Sequence, residues 1–194
     1  MKKICVFCGS SKGAVPEYME AAELLGKTIA ENKLELVYGG AKVGLMGKTA
    51  STVLLHNGNV TGVIPKDLFE KEVANTDLEN LHVVNSMHER KAMMAEMADA
   101  FIALPGGFGT FEELFEILTW AQLEFHKKPI GILNINGYYD KLIEFIDGAI
   151  EQKFIKEEHR KLFFVDDSPA ALIEKFKSYS APSINKAEWL LGIN

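Results

Sequence analysis

A proline, three glycines, a threonine and two glutamates crowd into Leu104-Pro105-Gly106-Gly107-Phe108-Gly109-Thr110-Phe111-Glu112-Glu113. Glycine tolerates positive φ and lets a ligand approach the backbone closely. An apolar run over residues 100–103 leads in, and an amphipathic run over 114–123 leads out. Strand, glycine turn and helix start together make an anion seat, most often for phosphate, because unpaired N–H groups and the positive end of the helix dipole converge there. A structural reading stands beside this one. Thr110-x-x-Glu113 is also a capping box, with Thr110 as N-cap and Glu113 bonding back to its N–H.

Arg90 is the second residue that could do chemistry. Met87, Arg90, Met94 and Met97 are spaced three, four and three apart, so a helix puts the arginine on a methionine face. A charge on an apolar stripe costs free energy unless it is paired or snorkels to water. It is therefore a snorkelling arginine, a structural ion pair or a site residue. Lys91, Glu112 and Glu116 read as solvated helix-face residues, and Glu72 as a surface glutamate.

The spacing Pro-Gly-Gly-x-Gly-Thr-x-x-Glu resembles the signature of the LONELY GUY (LOG) family, phosphoribohydrolases that release the base from cytokinin riboside 5′-monophosphates. The likeness continues at Ser86-Met87-His88-Glu89-Arg90-Lys91, at Gly39-Gly40 with Gly44-Leu45-Met46-Gly47, and at Thr119-Trp120-Ala121-Gln122, spanning the chain from Cys5 to about Tyr139. The resemblance implies catalytic roles for Arg90 and Glu113. It implies substrate contacts at Ser10, Gly39, Gly40, Glu72, Arg90, Lys91, Gly106, Gly107, Phe108, Gly109, Thr110, Phe111, Glu112, Glu113 and Thr119. Glu72 stands 18 residues before Arg90, the family's interval. The resemblance further implies a homodimer with the site near its interface, and no cofactor.

Other motifs fail on inspection. Gly47-Lys48-Thr49 ends like a phosphate-binding P-loop, but Lys42 occupies the required first glycine. His88-Glu89 begins like a zinc-protease motif, but position 92 is alanine, and no other histidine has ligand spacing. We infer no metal. Cys5 and Cys8 lie in a strand-like run, where positions i and i+3 face opposite ways, so they read as buried core residues. Members of the family have often carried a lysine decarboxylase label; that chemistry needs pyridoxal phosphate, and no lysine here is placed to argue for it.

The elements that must position these residues alternate along the chain. Strand-like runs fall at 3–8, 34–38, 59–64, 81–84, 100–104, 130–134 and 163–165, and helical patterns at 16–32, 44–57, 87–98, 111–125, 138–152 and 169–177. Apolar strands alternating with helices predict a Rossmann-like, doubly wound α/β sheet of about seven mainly parallel strands, covered on both faces. Ligands then bind beyond the carboxyl ends of the strands, where every unusual turn falls. One domain over 1–194 is expected, with a short helical tail at 183–194. A net charge of −6 with no basic cluster argues against a nucleic-acid surface. The apolar stretch at the N-terminus is too short for a signal peptide, and no run is long enough to span a membrane, so a cytoplasmic protein is expected. The rival to an enzyme is a non-catalytic nucleotide-binding module that uses the same glycine loop.

Overall fold

The computed structural model describes residues 1–69, 71 and 73–182. Glu72 and the tail expected at 183–194 lie outside the described residues. Seven strands form one parallel sheet: β1 (Lys3–Phe7), β2 (Glu35–Tyr38), β3 (Val60–Pro65), β4 (Asn80–Val84), β5 (Ala100–Ala103), β6 (Ile130–Leu133) and β7 (Phe163–Asp166). Their order is β4-β3-β2-β1-β5-β6-β7. The chain winds outward from β1 in one direction, returns to lay β5 along the other side of β1, and winds outward again. Cys5 thus faces Val37 across one ladder and Phe101 across the other. The order reverses between β1 and β5, and that reversal opens a crevice at their carboxyl ends.

Strand period divides the core in two. Ile4, Val6, Leu36, Tyr38, Ala100 and Ile102 pack toward α1 (Pro16–Glu31), α2 (Gly44–Leu55) and α7 (Pro169–Lys177). Cys5, Phe7, Val37, Phe101, Ala103 and Ile132 pack toward α4 (Met87–Met97), α5 (Phe108–Gln122) and α6 (Asp140–Glu151). The sheet is covered on both faces, which is why its strands are apolar throughout. Cys5 and Cys8 fall in opposite layers, free and buried, and burial holds both thiols well above their ordinary pKa. Truncating a side chain such as Leu25, fully buried on the inner face of α1, costs about 2–5 kcal/mol. Among the described residues no helix is long and apolar enough to cross a membrane.

Strands match their apolar runs closely; helix ends do not. Four helices end earlier than their patterns suggest, each followed by a non-glycine residue in the left-handed region: Lys33 after α1, Asn57 after α2, Glu124 after α5 and Lys153 after α6. A left-handed residue normally calls for glycine or asparagine, so lysine and glutamate there gave no stop signal. A short helix, α3 (Lys66–Phe69), forms where a loop was expected.

Two starts also differ. Helix α5 begins at Phe108 with Gly107 as its N-cap, so Thr110 is its third residue and the Thr110–Glu113 capping box does not form. Both side chains turn into the protein instead. The capping pattern is used at α4, where Ser86 Oγ accepts the Glu89 N–H at 3.1 Å and Glu89 Oε2 accepts the Asn85 N–H at 2.7 Å. Helix α6 begins at Asp140 rather than 138, because Asn136 (φ 52°) and Gly137 (φ 68°) turn the chain left-handed just before it. Tyr138 and Tyr139 are thereby released from the helix and face the glycine turn.

Candidate active site

Beyond β1 and β5 lies a crevice of about 350 Å³. Gly9, Ser10 and Ser11 form its wall after β1, Pro105, Gly106 and Gly107 after β5, and Tyr18, Leu45 and Tyr138 close the sides. Two glycines let the walls approach. A Cβ on Gly106 would lie 2.1 Å from Thr110 Oγ1 and 2.8 Å from the Gly9 nitrogen. A Cβ on Gly44, at φ 58°, would strike the Ser10 backbone at 2.3 Å. Substituting either glycine would force these loops apart.

Gly107 and Gly109 are different. A Cβ at either would meet no protein atom within 4 Å. Glycine near a helix start costs up to about 1 kcal/mol relative to alanine, and here no packing explains it. What the bare backbone leaves is open access to the first N–H groups of α5, at Phe108, Gly109 and Thr110, which have no intrahelical acceptor. The Phe108 side chain is 92% exposed, so the residue meets its helix through backbone alone. Thr110 is buried, with its hydroxyl folded over Gly106.

On the opposite face of the sheet edge, Arg90 from α4 donates through Nη2 to Glu113 Oε1 from α5. Both residues are buried, at 6% and 4% exposure. The guanidinium rests against Gly39 at the end of β2, where a Cβ would come within 3.3 Å of Nη2. Arg90 Nε is buried with no hydrogen-bond partner among the described residues. Burial pushes the Glu113 carboxyl above the ordinary glutamate range, and the Arg90 charge and hydrogen bond pull it only part of the way back. A carboxylate made more basic, fixed by an arginine, can orient water or face a developing cation.

Lys91 corrects the expectation of a solvated lysine, since its side chain is 10% exposed, while Glu112 is exposed as expected and Glu116 is half-buried. Its ammonium, one turn into α4, donates to Glu112 and, at 3.0 Å, to Glu116 on α5. Burial alone would lower the Lys91 pKa, but these two carboxylates outweigh it and raise it. The cluster ties the two helices that carry Arg90 and Glu113.

The structure therefore gathers Ser10, Gly106 and Gly107 at the crevice, and Gly39, Arg90, Lys91, Glu112 and Glu113 between α4 and α5. Phe111 packs beside both, with its ring 6.5 Å from that of Tyr138. Gly40 takes φ 74° and its carbonyl accepts the Asn75 N–H at 2.8 Å, binding the loop after β3 to the end of β2. Thr119 stands apart. Its hydroxyl donates to the Phe115 carbonyl at 2.7 Å, and it lines a separate cavity of about 180 Å³ with Phe115, Gln122 and His159. Tyr18 and Tyr138 are crevice residues that sequence reasoning passed over; the signal for Tyr138 was the turn dipeptide Asn136-Gly137 ahead of an apparent helix.

The family described as "Possible lysine decarboxylase" matches residues 46–176. The chain is 48% identical over 178 residues to cytokinin riboside 5′-monophosphate phosphoribohydrolase LOG7 of Arabidopsis thaliana, covering 92% of this chain and 82% of that protein. It is also 48% identical to cytokinin riboside 5′-monophosphate phosphoribohydrolase LOG of Oryza sativa subsp. japonica, over 92% of this chain and 74% of that one. The chain belongs to the LOG family. A molybdenum cofactor binding protein of Rippkaea orientalis shares the LOG-family fold at a TM-score of 0.70 and 23% identity, over 92% of this chain and 97% of that one. At that identity the likeness concerns fold alone. LOG relatives at nearly half identity reach across both the glycine turn and the Arg90–Glu113 pair.

Proposed function

We propose that this LOG-family protein hydrolyses the N-glycosidic bond of a purine nucleoside 5′-monophosphate, of cytokinin type or plain adenine, giving free base and ribose 5-phosphate. The buried Arg90–Glu113 pair beside a glycine turn carries the reading, because binding a phosphate alone requires no carboxylate. The N–H groups at 106–110 receive the 5′-phosphate. As the bond from C1′ to the base breaks, positive charge gathers on C1′ and the ring oxygen, as in other glycosyl transfers. Glu113 faces that charge and orients the attacking water, whose oxygen bonds to C1′ while a proton passes to the departing base. Arg90 holds the carboxylate and offers a fixed positive charge to the electrons leaving with the base. No step calls for a cofactor. The protein acts as a cytoplasmic homodimer with the site near its interface.

Chromatography after incubation with AMP tests the reading. Adenine and ribose 5-phosphate are expected in equal amounts, and adenosine should be cleaved at least about a hundredfold less efficiently because it lacks the charge that the helix start attracts. Intact AMP with saturable binding would make the protein a nucleotide-binding module instead. Running isopentenyladenosine monophosphate beside AMP gives the base preference.

A further inference from the structure

The turn after β5 has three consecutive carbonyl groups, and each is tied back. The Leu104 carbonyl accepts the Tyr139 hydroxyl at 2.7 Å, the Pro105 carbonyl accepts the Gly9 N–H at 3.0 Å, and the Gly106 carbonyl accepts the Tyr138 hydroxyl. In a trans peptide the C=O and the following N–H point in opposite directions, and the described chain has no cis bond. Fixing the Gly106 carbonyl therefore also fixes the Gly107 N–H, pointing the other way. That matters most at this peptide. It joins two glycines, whose φ and ψ are the least restrained, and both line the crevice. A flip would exchange a donor for a carbonyl oxygen in front of the ligand.

We propose that Tyr138 is a positioning residue that locks the Gly106–Gly107 peptide with its N–H available to the substrate phosphate, so that the crevice prefers anions. This rests on the phosphate reading given above. The tyrosine is itself well held. Its ring sits edge-on to Tyr139 at 4.9 Å and to Tyr18 at 5.8 Å, and stacks near Phe111 at 6.5 Å. The left-handed pair Asn136 and Gly137 aims it out of the helix, and the Asn134 side chain accepts the Tyr139 N–H at 2.7 Å to fix the turn. Burial and the neighbouring Tyr18 hold the Tyr138 hydroxyl above its ordinary pKa, so it remains a donor through neutral pH. Tyr139 does the same for the carbonyl two residues earlier, from within the core.

Tyr138→Phe removes the hydroxyl and keeps the ring. Its effect should depend on the phosphate. The KM for AMP should rise about tenfold, with kcat changed by less than about twofold. Inhibition of AMP hydrolysis by ribose 5-phosphate should weaken by a similar factor, while inhibition by adenosine stays as in the wild type. A ring that merely packs would leave all three unchanged, and a general distortion would weaken ribose 5-phosphate and adenosine together; either result overturns the lock. If the wild type itself binds AMP no better than adenosine, the phosphate reading fails and the lock with it. If the wild type discriminates and Tyr138→Phe discriminates equally, the lock alone fails.

Discussion

The two faces of the sheet edge are built on opposite principles. On the α1–α2 side, the crevice walls are glycines, serines and a proline, closed at the sides by Tyr18, Leu45 and Tyr138, with no charged side chain among the described lining residues. On the α4–α5 side, two charged side chains are buried against each other. Backbone donors are already fixed by the fold, so on the proposed reading the first region receives an anion without desolvating a charge of its own. The second bears a desolvation penalty of several kcal/mol per ion, offset only by close pairing. Such a penalty is hard to explain by stability, since a well-packed apolar pair would often serve as well. It is the arrangement expected where a charge acts on a bond.

Breaking the pair should give the largest effect. Removing one partner of a buried ion pair costs about 3–5 kcal/mol, and Arg90→Ala leaves Glu113 alone in the core. We expect a much lower melting temperature and no measurable adenine release. Arg90→Lys sharpens the comparison, because it keeps the charge but loses the planar fork. The lysine variant should fold and remain strongly impaired. The pH response belongs to the same prediction. On the proposed mechanism activity requires the Glu113 carboxylate, whose pKa burial raises above the ordinary glutamate range, so kcat/KM should fall as the pH drops through that raised value. A wild-type acid limb at or below the ordinary glutamate value would contradict this.

Gly109→Ala probes the other region and should be smaller and opposite in sign for stability. The new methyl group meets no protein atom, and alanine is favoured over glycine within a helix by about 0.5–1 kcal/mol. The variant should melt slightly higher. Its KM for AMP should nevertheless rise about tenfold, because the methyl occupies the approach to the α5 N–H groups. Higher stability with unchanged KM would mean that no ligand comes near this glycine.

Much of this contrast was legible in the sequence. Glycine and proline punctuate a chain visibly, so the crevice loops and their place after the strands followed from residue type alone. The methionine spacing placed Arg90 on a face that is buried at Met94 but open at Met87, which is 41% exposed. What spacing could not give was the partner. Arg90 and Glu113 are 23 residues apart, and only the packing of α4 against α5 brings them together. Thr110 and Glu113 satisfied a local capping rule, and the tertiary contacts overrode it. Tyr138 was hidden for a related reason. Its bond to Gly106 crosses 32 residues: Asn136-Gly137 signals a turn, but nothing local tells which carbonyl the tyrosine after it will reach. Ser86, by contrast, caps α4 as its type suggests.

Glu113 separates binding from chemistry most directly. Glutamine at that position keeps the shape and still offers a carbonyl oxygen to Arg90, but it has no charge to set against a developing cation. The measurement is AMP affinity and adenine release for Glu113→Gln beside the wild type, with a melting curve to show that the variant folds. We predict AMP affinity within about threefold of the wild type and hydrolysis reduced by at least about a thousandfold, at the upper range for losing one catalytic group. Hydrolysis near the wild-type rate would reduce the Arg90–Glu113 pair to a structural tie and contradict the account.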